Sequence, residues 1–358
     1  MYLRSMRVIG LMSGTSLDGI DIVCCDFNYK NDKYHYEVIN SKCVKYDNYW
    51  KEKLNNALHL NALDLQLLDI ELAEKFSKEI TSFIEENKIE NVDFISSHGH
   101  TIFHQPNKKL SLQIGAGQII ANNCKIDVVC DFRKEDVAKG GQGAPLVPIG
   151  DLYLFSAYDY CLNIGGIANV SFQLKDKRIA YDICAANMVF NHYANQKELE
   201  YDKDGLLASS GEINNELLTQ LNNLEYYQLN FPKSLGKEWV FENIINTIDR
   251  YEISIENKLR TFTEHTALQI AANCSTWGDS RTSMLVTGGG AYNKFLIERI
   301  QAHTSTEIII LDNITTDFKE AIIFAFLGYL KMNNKNNCLA SVTGASHDHS
   351  SGVIFRYQ

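Results

Sequence analysis

The stretch that decides the fold is residues 8–27, which read VIGLMSGTSLDGIDIVCCDF. Two runs rich in β-branched and apolar residues, 8–12 and 20–27, flank a polar, glycine-bearing segment at 13–19. This order predicts a β-hairpin with a turn at its tip. A plain turn needs fewer residues and fewer hydroxyl groups, so the tip also predicts a contact with phosphate, to which backbone N–H groups and small hydroxyls donate hydrogen bonds. A simple hairpin turn is the alternative.

A second strand, glycine turn and strand follow at 160–172, with Gly165 and Gly166 at the turn. Elsewhere apolar residues recur at three- and four-residue steps, as they do over 65–83, which is typical of amphipathic helices. The alternation of strands and helices predicts an α/β fold. Because two glycine hairpins lie about half a chain apart, we expect two related lobes.

The segment at 139–145 is rich in glycine and turn-forming residues, so we predict that the chain crosses between the lobes there. The predicted domains are residues 1–140, with the first phosphate hairpin, and residues 141–358, with the second. The prediction leaves open whether the C-terminal helix packs back on the first lobe.

The composition excludes several classes of protein. The 358 residues include 34 basic and 44 acidic side chains, a net charge of −10, which argues against a surface that neutralises nucleic-acid phosphates. No apolar run approaches the ~20 residues that span a bilayer, and no export signal is recognisable. Nine cysteines without a C-x-x-C pair indicate reduced, mostly buried thiols. We therefore expect a cytoplasmic protein with no nucleic-acid or membrane partner.

Three consecutive glycines, Gly288, Gly289 and Gly290, lie between a β run and an amphipathic helix, with Asn293 close behind them. Glycines at the end of a strand let the backbone approach a flat ligand such as adenine or ribose. The alternative is a tight connection from strand to helix, for which one glycine would be enough.

Asp182 stands at the end of a short predicted strand and at the mouth of a helix. A carboxylate in that position could act as a general base, although an aspartate before a helix is usually only a cap. Cys184 follows closely, but the sequence places no histidine or lysine beside it, so a nucleophilic thiol is disfavoured.

Ser97 and His98 follow one predicted strand and Arg133 follows another, the position where ligand sites of α/β proteins gather. Arg133 could bind a carboxylate through two N–H groups, although isolated His and Arg residues are more often structural. His98 and His100 lack a third ligand, which disfavours zinc. The tract SHDH at 346–349 contains metal-ligand types, but a solvated loop is favoured there.

Together these segments resemble the anhydro-N-acetylmuramic acid kinase family of the actin/Hsp70/sugar-kinase superfamily. The resemblance covers essentially the whole chain, in family order. The matching stretches are IGLMSGTSLDG (9–19), SHGHT (97–101), DFR (131–133), GGQGAPLVP (140–148), LNIGGIAN (162–169), PKS (232–234), TGGGAYN (287–293) and VTGA (342–345).

The resemblance implies an actin-like ATPase fold with two ribonuclease H-like lobes and a nucleotide cleft between them. It implies a kinase that uses ATP and Mg²⁺, opens the 1,6-anhydro ring of anhydro-N-acetylmuramic acid with water, and phosphorylates the freed O6. The product would be N-acetylmuramic acid 6-phosphate, in cell-wall recycling. The family also tends toward homodimers.

The resemblance further assigns roles to particular residues. The first hairpin would hold the β- and γ-phosphates through Ser13, Gly14, Thr15, Ser16, Asp18 and Gly19. The second phosphate element would be Asn163, Gly165 and Gly166, and the adenosine element would be Gly288, Gly289, Gly290 and Asn293. The sugar would contact Ser97, His98, Arg133 and Glu320. Asp182 aligns with the catalytic base, and no residue is assigned as a metal ligand.

The chain departs from the family pattern at this base. Where the family reads close to Asp-Thr-Gly-Pro-Gly-Asn, this chain reads Asp182-Ile183-Cys184-Ala185-Ala186-Asn187. A side chain at Cys184 stands where the backbone could require positive φ, and the loss of proline frees the turn that aims the carboxylate. Besides an active kinase, we therefore consider a degenerate paralogue that binds nucleotide or sugar as a sensor. A general actin-like ATPase or chaperone is disfavoured because no peptide-binding segment follows the lobes.

Overall fold

The computed structural model describes residues 3–274 and 282–358. The chain divides into unit 1, which comprises Met1–Phe155 and Phe318–Gln358, and unit 2, which comprises Ser156–Asp317. Each unit has its own β-sheet and its own cluster of buried hydrophobic residues.

The strands within the described residues are numbered in chain order. They are β1 (Met6–Ser13), β2 (Gly19–Lys30), β3 (Lys33–Lys45), β4 (Phe94–Gln105), β5 (Leu110–Ile114), β6 (Val128–Cys130), β7 (Tyr160–Ile164), β8 (Ile167–Leu174), β9 (Lys177–Ala185), β10 (Ser283–Thr287), β11 (Glu307–Ile309) and β12 (Val353–Phe355).

The helices are numbered in the same way, and a π-helical turn, Val240–Ile245, joins α9 to α10. They are α1 (Asn48–Asn55), α2 (Ala62–Glu86), α3 (Gly117–Cys124), α4 (Lys134–Ala138), α5 (Pro148–Leu154), α6 (Asn187–Asn195), α7 (Leu206–Ser210), α8 (Asn215–Asn222), α9 (Lys237–Trp239), α10 (Asn246–Asp249), α11 (Ile255–Asn273), α12 (Lys294–His303), α13 (Asn313–Met332) and α14 (Ala340–Thr343). Across the described parts of the chain, no helix has the length and apolar character needed to cross a membrane.

The two sheets share one strand order. In unit 1 the order is β12-β6-β4-β1-β2-β3, with β5 paired to β4, and in unit 2 it is β11-β10-β7-β8-β9. The first three strands of each unit are antiparallel, and the first strand also pairs in parallel with the fourth. A second parallel pair, β4–β6 and β10–β11, completes each core order. This is the ribonuclease H-like arrangement, so the predicted fold class and the two related lobes are confirmed.

Helix α2 illustrates how the sequence builds unit 1. Its buried residues, from Leu65 to Phe83, recur at three- and four-residue steps and pack into the core beneath the sheet. Each such side chain contributes about 1.5–3 kcal/mol when fully buried. The helix begins where the Asn61 side chain accepts a hydrogen bond from the Asp64 N–H at 3.0 Å. The apolar period and the cap together explain why the predicted helix forms.

The boundary between the units falls after Phe155, whereas the turn-rich segment at 139–145 predicted a crossing near residue 140. The difference arises from Asp136, which is fully buried. Its carboxylate accepts hydrogen bonds from the Gly143 N–H and the Thr343 hydroxyl, each at 2.7 Å. These tertiary contacts hold the glycine-rich segment inside unit 1.

Helix α13 packs on the sheet of unit 1. A Cβ atom at Gly10 of β1 would overlap the Ala321 carbonyl oxygen, so only glycine allows this close approach. On β4, the Ser96 hydroxyl donates to the Phe324 carbonyl oxygen at 2.5 Å. The part of the chain from Phe318 onward therefore belongs with the first unit.

Candidate functional site

The tip of the first hairpin presents oxygen-bearing side chains to solvent. Thr15, Ser16 and Asp18 are exposed between the buried strands β1 and β2. The turn is closed by a hydrogen bond from the Leu17 N–H to the Gly14 carbonyl oxygen at 3.2 Å. The predicted hairpin is confirmed, and its exposed groups are hydroxyl and carboxylate oxygens.

Ser13 differs from the other residues of this motif because it is fully buried. Its Oγ lies 2.8 Å from the Tyr46 hydroxyl and 2.9 Å from His100 Nδ1. Burial lowers the pKa of His100 to about 4, so the ring is neutral near pH 7. Ser13 thus anchors the base of the hairpin.

Some glycines at the predicted nucleotide motifs are not required by the fold. There is room for a Cβ atom at Gly14, Gly165, Gly166 and Gly289. At each of these positions it would lie at least 3.5 Å from the described atoms of residues other than its chain neighbours. Their φ angles also lie outside the left-handed region. The bare backbone at these four positions leaves space in which a ligand can reach N–H groups.

The fold does require glycine at three other positions of these motifs, Gly19, Gly288 and Gly290. A Cβ atom at Gly19 would overlap the Val44 carbonyl oxygen, and one at Gly290 would overlap the Ile164 side chain. Gly288 has a φ of 82°, a conformation that favours glycine. The fold alone accounts for glycine at these three positions, which therefore give no separate indication of a ligand.

The second hairpin, between β7 and β8, lies against the start of α6. The Gly165 carbonyl oxygen accepts from the Asn187 N–H at 3.1 Å, and the Gly166 carbonyl oxygen accepts from the Ala186 N–H at 2.9 Å. The Asn187 side chain donates to the Ile164 carbonyl oxygen at 3.2 Å. The structure thus joins the predicted second phosphate element to the turn that follows the candidate base.

The two predicted asparagine contacts have different surroundings. Asn163 is half-buried at the end of β7, and its Oδ1 lies beside Gly288, where a Cβ atom would stand only 2.6 Å away. Asn293 is 9% exposed, and its Oδ1 accepts the Leu296 N–H at 3.0 Å. The Asn293 side chain caps α12, which is a structural task.

Asp182 is half-buried near the end of β9 and is held by three hydrogen bonds. Its carboxylate accepts from the Leu235 N–H at 2.9 Å, and its carbonyl oxygen accepts from the Tyr226 hydroxyl at 2.6 Å. Its own N–H donates to the Lys233 carbonyl oxygen at 3.3 Å. Desolvation raises the pKa of Asp182 above its ordinary value, and the Leu235 N–H partly offsets this. A fixed carboxylate with a raised pKa is suited to accept a proton.

The residues of the altered turn after Asp182 pack into the fold. The side chain that replaces the family's glycine, Cys184, is fully buried in the core of unit 2, as are Ala185 and Ala186. Within the described chain, none of these residues has a positive φ. Burial raises the pKa of the Cys184 thiol well above its ordinary value, so the group stays neutral and is no nucleophile. The conflict expected at position 184 does not occur.

In unit 1, His98 and Arg133 form a preorganised pair. Arg133 donates to His98 Nε2 through Nε at 3.1 Å and Nη2 at 2.9 Å, and to the Gly143 carbonyl oxygen through Nη1 at 2.7 Å. His98 Nδ1 lies 3.0 Å from the Gly99 carbonyl oxygen, which assigns the ring proton to Nδ1. Burial, and then the Arg133 charge, lowers the pKa of His98 well below its ordinary value. Ser97 is fully buried, and its Oγ accepts the Gly99 N–H at 3.1 Å.

Glu320 belongs to the same electrostatic environment. Desolvation raises the pKa of this carboxyl group and lowers that of Arg133 to about 10, while attraction between the two residues opposes both shifts. The neighbouring Lys319 is engaged elsewhere, in a buried ion pair with Asp151 at 2.7 Å. The structure therefore pairs Arg133 with His98 and places the exposed Glu320 within electrostatic range of a guanidinium that is charged near pH 7.

Three residues that position the site were missed by sequence reasoning. Tyr226 and the Leu235 N–H hold Asp182, and Asp136 fixes the segment that accepts a hydrogen bond from Arg133. Leu235 directly follows the PKS stretch, so the family pattern offered a signal for it. Tyr226 and Asp136 have no local sequence signal of this role.

Comparison with known proteins is consistent over the full length of the chain. The model of the family described as anhydro-N-acetylmuramic acid kinase matches residues 6–357. Relatives of that name are 35% identical in Aliivibrio fischeri, covering 98% of this chain and 99% of the relative, and 33% identical in Vibrio vulnificus, covering 97% of each. Among solved structures, component A of (R)-2-hydroxyglutaryl-CoA dehydratase from Acidaminococcus fermentans is 12% identical with a TM-score of 0.48, covering 91% of this chain and 98% of that one, a likeness too low to support an argument. The family match and the relatives show that this chain belongs to the anhydro-N-acetylmuramic acid kinase family.

Proposed function

We propose that this chain is an ATP-dependent kinase that opens the 1,6-anhydro ring of anhydro-N-acetylmuramic acid and phosphorylates O6, giving N-acetylmuramic acid 6-phosphate in cell-wall recycling. Family membership supports the reaction class. The observation that supports activity in this particular chain is the fixed carboxylate of Asp182, held by the Leu235 N–H and by Tyr226 despite the altered turn.

In this proposal Asp182 accepts a proton from the water molecule that attacks the anomeric carbon. The new C1–O bond forms as the C1–O6 bond breaks, and the electron pair of the broken bond passes to O6. O6 attacks the γ-phosphorus of ATP, and the bond to the β–γ bridging oxygen breaks to release ADP. The raised pKa of Asp182 brings this base closer to neutral pH, where proton transfer is more effective.

The nucleotide is proposed to bind where glycine is not required by the fold. Gly14 at the first hairpin and Gly165 and Gly166 at the second have room for phosphate oxygens at their backbone N–H groups. Near Gly14, the exposed oxygens of Thr15, Ser16 and Asp18 would hold Mg²⁺, which prefers hard oxygen ligands. When bound, Mg²⁺ neutralises charge on the phosphates. Gly289 offers similar space for the adenosine.

The sugar is proposed to bind at Arg133. The described contacts use three of the five N–H donors of this guanidinium. Two of them donate to His98 Nε2 and one donates to the Gly143 carbonyl oxygen. The other donors can pair with the lactyl carboxylate of the muramic acid. Since these contacts already fix the side chain, the binding of a carboxylate needs little further ordering. Glu320, close to Arg133, supplies an acceptor for sugar hydroxyl groups.

The test is a product analysis with purified protein, MgATP and the anhydro-sugar. We expect ADP and a 6-phosphosugar in equal amounts, identified by phosphorus NMR and mass spectrometry. Tight nucleotide binding without any sugar phosphate would instead support the sensor. The family resemblance also leads us to propose a cytoplasmic homodimer, which light scattering of the purified protein would test.

A further inference from the structure

Within the described residues, Asp136, Cys338 and His349 come together inside unit 1, and the first two lie within electrostatic range of Arg133. They are 0%, 1% and 4% exposed, and one potential ligand atom from each lies within 4.8 Å of the other two. The cluster joins the middle of α4 to the C-terminal segment. Asp136 also orients the segment that accepts a hydrogen bond from Arg133, but neither the sugar-binding proposal nor the nucleotide proposal uses Cys338 or His349.

The expectation of a solvated loop at 346–349 is wrong for His349, although His347 is exposed. Cys338 and His349 form an isolated antiparallel bridge, in which the Cys338 N–H donates to the His349 carbonyl oxygen at 3.0 Å and the His349 N–H donates back at 3.2 Å. This backbone pairing draws the histidine into the interior and places it beside the thiol.

The hydrogen bonds of His349 leave a ligand atom facing the cluster. Its Nδ1 lies 3.0 Å from the His347 carbonyl oxygen, so the proton is on Nδ1 and the lone pair is on Nε2. Nε2 is buried and has no hydrogen-bond partner within the described residues. A histidine that donates from one nitrogen to a backbone carbonyl and offers the other inward is the usual arrangement of a metal ligand.

The distance between His349 and Asp136 also fits a shared ion. Nε2 lies 3.6 Å from Asp136 Oδ1, which is too long for a hydrogen bond. Two ligands at ~2.0–2.2 Å from one tetrahedral ion stand about 3.4 Å apart. The Asp136 carboxylate is already oriented by the Thr343 hydroxyl and the Gly143 N–H, and each of its oxygens has a second lone pair.

We propose that Asp136, Cys338 and His349 bind one Zn²⁺ ion, with water as the fourth ligand. Thiolate and imidazole suit zinc and disfavour Mg²⁺, which prefers oxygen ligands. On binding, the Cys338 thiol releases its proton to solvent, so zinc affinity rises with pH. The ion would connect α4, which begins directly after Arg133, to the C-terminal segment. Its role is therefore structural, and the proposal stands independently of the proposed catalytic activity.

The experiment measures zinc on the full chain, purified without a polyhistidine tag. Elemental analysis and a competition titration with a chromogenic chelator give stoichiometry and affinity. We expect about one zinc per chain. His349→Gln and Cys338→Ser should each weaken binding by at least the ~10–100-fold that loss of a second-shell partner costs. The matched control, His347→Gln, removes an exposed histidine of the same tract and should leave affinity unchanged.

Two results would overturn the proposal. One is the absence of saturable zinc binding in folded protein, which would leave Asp136 and His349 as a simple buried pair. The other is an equal loss of affinity in His347→Gln and His349→Gln, which would indicate chelation at the surface. Circular dichroism checks that each variant is folded. If Cys338→Ser does not fold, the zinc affinity of His349→Gln alone tests the proposal.

Discussion

The two glycine hairpins occupy equivalent positions in two sheets of the same strand order, yet their tips are built differently. The first spans residues 14–18 between β1 and β2 and presents exposed oxygens, whereas the second consists of Gly165 and Gly166 and is tied to α6. The shared order determines where each tip lies within its unit. The residues of the tip determine what it can bind.

The comparison extends to the charged group that each unit contributes to the proposed active site. Unit 1 contributes a cation, Arg133, which is fixed by side-chain and backbone acceptors. Unit 2 contributes the proposed base, Asp182, which is fixed mainly through backbone groups. Two units of one topology thus supply opposite charges by different means. Substitutions in each unit can test its side of this comparison.

The largest expected effect is at the base. Asp182→Asn keeps the size of the side chain but cannot accept the proton, so kcat should fall by ~10²–10⁴-fold. Nucleotide affinity should stay the same, because the proposed nucleotide contacts are elsewhere. The control is Asp176→Asn, at the exposed turn between β8 and β9 of the same unit, which should keep full kcat. An Asp182→Asn enzyme with kcat close to that of the unchanged protein would remove the base from the mechanism.

The next effect separates a glycine that ligands require from one that the fold requires. Gly14→Ala adds a Cβ atom in open space, so thermal stability should be unchanged or slightly raised. Displacement of the phosphates by about 1 Å should reduce kcat/KM for ATP by about 10²-fold. Gly10→Ala should instead lower stability by about 1–3 kcal/mol, because its Cβ atom meets α13. Unfolding curves and steady-state kinetics of both variants measure these two effects. An unchanged kcat/KM for ATP in Gly14→Ala would contradict the proposed phosphate contact.

A third, smaller effect tests how Asp182 is aimed. Tyr226→Phe removes the hydroxyl that donates to the Asp182 carbonyl oxygen, so kcat should fall by up to about 10-fold, the value of one hydrogen bond of ~0.5–1.5 kcal/mol. KM for ATP should not change. In Tyr227→Phe the lost hydroxyl is buried without a hydrogen-bond partner among the described residues, so activity should be unaffected. Equal behaviour of the two variants in steady-state kinetics would show that Tyr226 only fills space.

The smallest effect is on pH dependence. Desolvation raises the pKa of Asp182, and the Leu235 N–H offsets only part of this. The base acts when ionised, so kcat falls as the pH falls through the raised pKa. The acid midpoint of the kcat profile should therefore lie above the ~3.9 of an ordinary aspartate. A midpoint below that value would mean that hydrogen bonding, rather than desolvation, dominates at this carboxylate.

The sequence predicted the parts of the fold that depend on local patterns. The hairpin over residues 8–27 and helix α2 follow from alternation, turn residues and apolar period, and both form as expected. The crossing at 139–145 was misplaced because composition cannot reveal that a buried carboxylate, Asp136, holds a glycine-rich segment in place. Tyr226 reaches Asp182 across 44 residues of sequence, a contact that only the tertiary structure creates.

In the candidate site, too, the sequence predicted what depends on local motifs and missed what depends on tertiary packing. The motifs single out the glycines as a group, but a sequence does not separate Gly14, where a side chain would fit, from Gly19, where it would not. The altered turn at Cys184 raised doubt about the base, since the direction of a side chain depends on packing. The burial of Cys184 in the core of unit 2 shows that the fold accommodates this side chain.

The most direct test of the central claim is the fate of the water oxygen during turnover. The protein, MgATP and anhydro-N-acetylmuramic acid are incubated in water enriched in heavy oxygen, and the products are quenched early and analysed by mass spectrometry. We predict that the sugar phosphate contains one heavy oxygen on the anomeric carbon and none in its phosphate group. Heavy oxygen in released inorganic phosphate, with no labelled sugar phosphate, would show that the chain hydrolyses ATP without opening the anhydro ring.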